Sequence, residues 1–268
     1  RGRVSLRGVI PLSWNLDHVG PMARSAQDAA LLLQAIAGYD AEDPWSVDAP
    51  VEDYSAHITE GVQGWRVGLA SDDYFTDPAV LEADVLEMVR QAGREFMALG
   101  AAVEAVSFSE ARRAALANGL MTTSDAAAFH RHRLAEHPQG FGVDVRARLQ
   151  TGAAYSSGEY ALARHTQSEL RHQFARFFDG FDLLLMPTVP IPAPERGTAD
   201  AVERARLLTR FTAPFNLTGL PALSIPCGLT RSGLPVGLQM VAAPWAEAKL
   251  LRAAWAYEQV ENKKIRNE

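Results

Sequence analysis

Residues 211–240, FTAPFNLTGLPALSIPCGLTRSGLPVGLQM, decide the fold. Two apolar runs, ALSIPC (222–227) and PVGLQMVA (235–242), flank the turn formers Thr230, Arg231, Ser232 and Gly233. This pattern predicts two adjacent strands joined by a short connection, with Gly233 supplying the positive φ that such a turn needs. Asn216 and the turn at 218–221 deliver the chain to the first strand, and Pro221 and Pro226 are expected at its ends, where a missing N–H costs least.

Working outward, the run DLLLMPT (182–188) has the continuous apolar character of a strand covered on both faces, and PTVPIPAPERG (187–197) is too proline-rich for anything but an extended loop. Trp65–Ala70 and Ala101–Val106 are further strand candidates, separated by a helix expected over Pro78–Leu99 with an Asp77 cap. Strand, helix, strand implies a crossover onto a parallel or mixed sheet. A helix capped by Ser25 is expected over Ala26–Ala37. The segments 4–25 and 39–57 show no period and read as irregular chain. Helices are expected over Ser109–Glu136, from Val143 to Leu149, from Ser157 to Phe178, over Ala201–Leu208 and over Ala246–Val260, with a solvated tail at 261–268. The fold class is α/β, a large mixed sheet covered by helices, with no linker dividing it.

Composition narrows the function classes. The 268 residues are 47% apolar and 22% charged, as in folded domains. A net charge of −6 with Arg scattered among acids gives no nucleic-acid footprint. No apolar run is long enough to span a membrane. The single cysteine, Cys227, suits a reducing compartment, and the chain is read as cytoplasmic. It opens mid-pattern at Arg1-Gly2, which suggests the downstream piece of a longer protein.

No catalytic machine emerges from the residues themselves. The Gly-x-Ser-x-Gly elbow, a phosphate loop and a dinucleotide fingerprint are all absent from the sequence. His130, His132 and His137 face different ways on a helix, so no metal site is expected. A Ser–Lys mechanism needs a lysine stripped of water, and Lys249, Lys263 and Lys264 all lie in amphipathic or solvated positions near the end of the chain. Cys227 reads as a small buried hydrophobe.

The stretches at 2–40 (GRVSLRGVIPLSWNLDHVGPMARSAQDAALLLQAIAGYD), 143–160 (VDVRARLQTGAAYSSGEY), 182–194 (DLLLMPTVPIPAP) and 215–242 (FNLTGLPALSIPCGLTRSGLPVGLQMVA) together resemble the downstream part of amidase signature family enzymes. The resemblance implies that residues 1–260 are the C-terminal portion of a single amidase domain. It also implies hydrolysis of a carboxamide by a Ser–cis-Ser–Lys triad located upstream of this chain, with no cofactor and no catalytic residue here. Substrate contacts are expected from Arg148, Thr209, Phe215 and Asn216. Arg148 matches an arginine that grips a carboxylate in the amidotransferase A subunits. Thr209 stands where those proteins carry an aspartate, and no acid occurs over residues 205–219, which favours a general amidase over the A subunit of glutamyl-tRNA(Gln) amidotransferase. Asp17 and Gly20 match the LDxxGP turn and read as architectural. A small-molecule amide is the expected partner, together with a homodimer contact or contact with the upstream portion. A non-catalytic module of the same fold is the alternative from another class.

Overall fold

The computed structural model describes residues 1–197, 204 and 206–267, with side chains described as far as Val260. At its centre is strand β3 (Leu183–Pro187), in which all five residues are buried. Burying each of its large apolar side chains contributes about 2 kcal/mol. Its backbone pairs on both edges. On one side runs β1 (Arg66–Ala70), parallel, with Leu184 opposite Gly68. On the other runs β5 (Pro235–Val241), antiparallel, with Leu185 opposite Met240. Strand β2 (Ala102–Val106) extends the sheet beyond β1, and β4 (Ala222–Leu229) beyond β5, giving the order β2-β1-β3-β5-β4. The expected α/β class and mixed sheet are present.

The hairpin β4–β5 turns through Thr230–Gly233, and Gly233 has φ 81°, as the pattern required. Pro226, expected at a strand end, lies instead inside β4. It is tolerated there because β4 is an edge strand and the register shifts between Pro226 and Leu229.

Helices cover both faces. Helix α1 (Ala26–Ile36) is capped by the Ser25 side chain on the Asp28 N–H, as expected. A short helix, α2 (Asp73–Thr76), precedes α3 (Ala83–Ala98). The expected start of α3 at Pro78 is corrected. Asp77 closes only a local turn, because Leu81 must enter the core and the Glu82 N–H reaches out to Pro190 O at 3.0 Å. Gly93 of α3 packs over Leu69 and Val103, while Phe177 at the end of α6 packs over Gly68, so α3 and α6 lie on opposite faces of the sheet.

Helix α4 (Ala111–Glu136) is followed by a 3-10 turn at Pro138–Gly140, α5 (Val143–Ala154) and α6 (Ser157–Phe177). Ser156 and Glu159 form a capping box at the start of α6. Residues 213–218, where no helix is expected from the sequence, form the helix α7 (Ala213–Thr218), which ends at Gly219 with φ 75°. Helix α8 (Glu247–Asn267) closes the chain and runs past the expected end at Val260. Of the helix expected over Ala201–Leu208, residues 204, 206 and 207 are helical, and 201–203 and 205 fall outside the described residues.

A second apolar cluster forms away from the sheet, where Leu16, Ala114, Ala117, Met121, Ala163, Leu170 and Leu217 bring the opening strap, α4, α6 and α7 together. The α4–α5 crossing depends on Gly152, because a Cβ there would overlap the Thr123 carbonyl. Ala would gain up to about 1 kcal/mol of helix propensity at this position, but forcing the backbones apart costs about 1–3 kcal/mol, so the clash wins. Gly152→Ala is therefore expected to lower the urea midpoint of unfolding, and an unchanged or raised midpoint would contradict the close crossing.

Candidate functional site

The site is built where residues 12–18 cross α4, α6 and α7. This strap holds its own shape first. Asp17 accepts the backbone N–H groups of Leu12 (2.8 Å) and Ser13 (3.1 Å), while the Leu16 and Asp17 N–H groups bond Ser13 O. That closed turn aims Ser13 and Asn15 at α4. There Asp125, 5% exposed, interrupts a face otherwise built from Ala114, Ala117 and Met121.

Three donors converge on the Asp125 carboxylate. Ser13 Oγ donates at 2.6 Å, Asn15 Nδ2 at 3.0 Å and Tyr160 Oη at 2.7 Å. Burial, joined by the bond to Asp125, pushes the Tyr160 phenol up to about 12, so it stays a donor at any ordinary pH. Asn15 also donates to Tyr160 Oη at 2.9 Å and accepts from Arg164. Arg164 donates to Gln167 Oε1 at 2.7 Å, and Gln167, itself buried, donates to Leu217 O of α7 at 2.6 Å. One hydrogen-bonded chain thus ties the strap, α4, α6 and α7.

Beside this knot opens a pocket of about 450 Å³, lined among others by Ser124, Asp125, Arg131, Gly152, Tyr155 and Tyr160. Its volume suits a small organic molecule. A smaller cavity of about 110 Å³ under Phe108 and Phe174 is too small for one.

On the other side of the strap stands His18. Its Nδ1 lies 2.6 Å from Leu16 O, and since a carbonyl only accepts, Nδ1 carries the proton. The protein packed around the ring, with the Arg1 guanidinium nearby, disfavours imidazolium and lowers its pKa to about 4, although the residue is exposed to solvent.

The residues expected to touch substrate are dispersed. Asn216 bonds Asn118 Oδ1 at 3.0 Å and faces His18, so it borders the strap. Phe215, 2% exposed, points into the core against Phe174 (5.6 Å between ring centroids) and shapes the seam from beneath. Thr209 is exposed just before α7 and bonds Arg206 O, while its carbonyl accepts the Ala213 N–H. Arg148 is exposed on α5. The structure thus joins Asn216 to the strap and leaves Arg148 and Thr209 on open surface. Sequence reasoning missed Ser13, Asn15, Asp125 and Tyr160. The available signal was an acid set within the alanine-rich face of α4.

Lys249 pairs with Asp182 at 2.8 Å and lies 5.6 Å from the Trp65 ring centroid, which marks it as a charged structural partner. Cys227 is buried. Among the described residues no helix is long and apolar enough to cross a membrane.

A central mixed sheet clothed by helices makes this an α/β protein. The Amidase family model matches residues 1–251, and the chain belongs to that family. It is 40% identical to the A subunit of the glutamyl-tRNA(Gln) amidotransferase of Myxococcus xanthus, over 96% of this chain and 57% of that protein. It is 37% identical to an amidase of Pseudomonas putida, over 96% of this chain and 56% of that protein. Among solved structures, the A subunit of the Thermotoga maritima amidotransferase superposes with a TM-score of 0.80 at 30% identity, covering 96% of this chain and 56% of that one. The chain therefore spans a little over half the length of these relatives.

Two outcomes are expected. Asp125→Ala strands three donors and should cost about 3 kcal/mol in urea unfolding; a loss below about 1 kcal/mol would mean that water replaces the carboxylate without penalty. For His18, the folded pKa near 4 lies below the ordinary 6.5, so the unfolded chain binds the extra proton between those values. Stability should rise with pH from about 4 to 6.5 and level off above, and His18→Gln should flatten that slope. An identical pH profile in the variant would contradict the assignment.

Proposed function

We propose that residues 1–260 are the C-terminal portion of an amide hydrolase domain and form one wall of its active site, with nucleophile and base supplied by a preceding segment. The observation that carries this reading is the family match across residues 1–251, set beside a described lysine, Lys249, that is committed to Asp182. In the resembling enzymes the second serine attacks the carboxamide carbon. A bridging serine relays the proton to the leaving amine, a neutral lysine acts as base, and water then releases the carboxylate. Here the chain contributes shape. The strap, fixed by Asp125, and the pocket between α4 and α5 offer a bounded volume, and exposed Leu12 on the strap, with Ile10 and Met22 on the chain either side of it, offers apolar surface to the opposite wall.

Arg148, Thr209, Phe215 and Asn216 are proposed to border the substrate. Arg148 holds its polar end through the guanidinium fork, Phe215 and Asn216 set the position of α7, and Thr209 lines the approach. A threonine in place of an acid leaves no carboxylate at that position for a substrate ammonium, which favours neutral amides. A second reading, the glutamine-dependent A subunit, has the 40% identity to the Myxococcus xanthus protein in its favour and Thr209 against it.

The 268-residue chain alone is expected to release no product from a simple aryl amide. Joined to its upstream coding region it should turn the amide over, and Arg148→Gln in that protein should raise KM about tenfold with kcat nearly unchanged. Turnover by the isolated chain that disappears when one of its own serines is replaced would sink this account. Release of ammonia from glutamine by the joined protein would favour the second reading.

A further inference from the structure

Three arginines gather where the strap, α6 and the end of α7 meet. The Arg1 backbone nitrogen donates to Gly219 O at 3.1 Å, and the Arg1 guanidinium donates to Trp14 O at 2.5 Å. Arg171 Nε donates to Thr218 O at 3.0 Å. Both side chains crowd the same glycine: a Cβ built on Gly219 would lie 3.3 Å from Arg1 Cβ and 3.7 Å from Arg171 Nη2. Arg164 sits seven residues before Arg171, hence two turns away on the same face of α6. It donates to Asn15 Oδ1 at 3.1 Å, and because Asn15 follows Trp14, the strap brings Arg164 beside Arg1.

The acids described near this group do not outweigh its cations. Among the described residues none of the three arginines forms an ion pair with a carboxylate. The charges of Asp17 and Asp43 reach Arg1 but weigh less on it than those of Arg171 and Arg164, and both carboxylates accept backbone amides, Asp17 from Leu12 and Ser13, Asp43 from Leu6 and Trp45. Arg1 Nε is buried without a hydrogen-bond partner. Burial, and then repulsion from Arg171 and Arg164, lowers the Arg1 pKa to about 10; burial and Arg164 lower that of Arg171. Ending a six-residue helix explains one cation at its carbonyls, but it does not explain three.

We propose that Arg1, Arg164 and Arg171 form a binding site for a small multivalent oxyanion of the phosphate class. Guanidinium forks match such oxygens in pairs. A dianion offsets the mutual repulsion of three cations more fully than a monocarboxylate, which cancels a single charge. The inference does not depend on the amide-hydrolase reading.

Inorganic phosphate titrated into the 268-residue chain at low ionic strength tests it, with calorimetry for affinity and NMR of the His18 ring, assigned through His18→Gln, for location. Binding should saturate at one site and weaken as sodium chloride is added. Because His18 feels the charge of Arg1, a bound anion should raise its titration midpoint. Arg164→Gln should weaken phosphate about tenfold. Arg164→Lys, which keeps the charge and loses the fork, should fall between, and Arg94→Gln on the far helix α3 should change nothing. Unsaturable binding, an unmoved His18 midpoint, or equal affinity in Arg164→Gln and the unaltered chain would each overturn the proposal.

Discussion

Strand β3 has no side chain in contact with solvent on either face, and that constraint orders the rest of the chain. A strand buried on both faces needs cover above and below, and its backbone groups need partners on both edges. Here β1 provides a parallel edge and β5 an antiparallel one. A parallel partner cannot be reached by a tight turn. The chain between β1 and β3 accordingly carries α3 and α6, which lie on opposite faces of the sheet. The antiparallel partner needs no such excursion, and β5 follows from β4 through a four-residue turn. The outer strands then take the residues that an edge permits, Pro226 with its bulge in β4 and the Arg66–Glu104 pair beside β2.

Away from the sheet the cohesion is of a different kind. The cluster around Leu16, Met121 and Leu217 includes three alanines, Ala114, Ala117 and Ala163, which bury little area each. The strap enters it through Leu16, and one apolar side chain leaves the strap weakly fixed in register. Asp125 supplies the discrimination. A buried carboxylate is costly unless its lone pairs are met, and only one placement of the strap presents Ser13 and Asn15 together with Tyr160. The network therefore specifies position more than it adds net stability.

Much of the fold was legible in the sequence because it rests on local signals. The unbroken LLLM run marked β3, the Thr230–Gly233 turn marked the hairpin, and Ser25 with Asp28 marked the start of α1. Where local signals misled, a distant contact had overridden them. Asp77-Pro78 looks like a helix start, yet Leu81 and the Glu82 bond to Pro190 hold the chain out of the helix until Ala83. Residues 213–218 gave no helix signal, because so short a helix carries no readable period. The candidate site was hardest to read, since Ser13, Asp125 and Tyr160 lie more than thirty residues from one another and no spacing rule links them.

Helix α7 shows why that matters for function. Six residues are too few to sustain a helix in water, so its position is imposed from outside. Gln239 of β5 holds its approach through Phe211 O, Gln167 of α6 holds Leu217 O, Arg171 holds Thr218 O and the Arg1 backbone nitrogen holds Gly219 O. These bonds come from the sheet, from α6 and from Arg1. Phe215, pointing into the core, and Asn216, pointing toward His18 and Asn118, are thereby fixed between the sheet and the strap. The hairpin that decides the fold and the knot that defines the candidate site meet at this one short helix, and a shift in either moves the other through it.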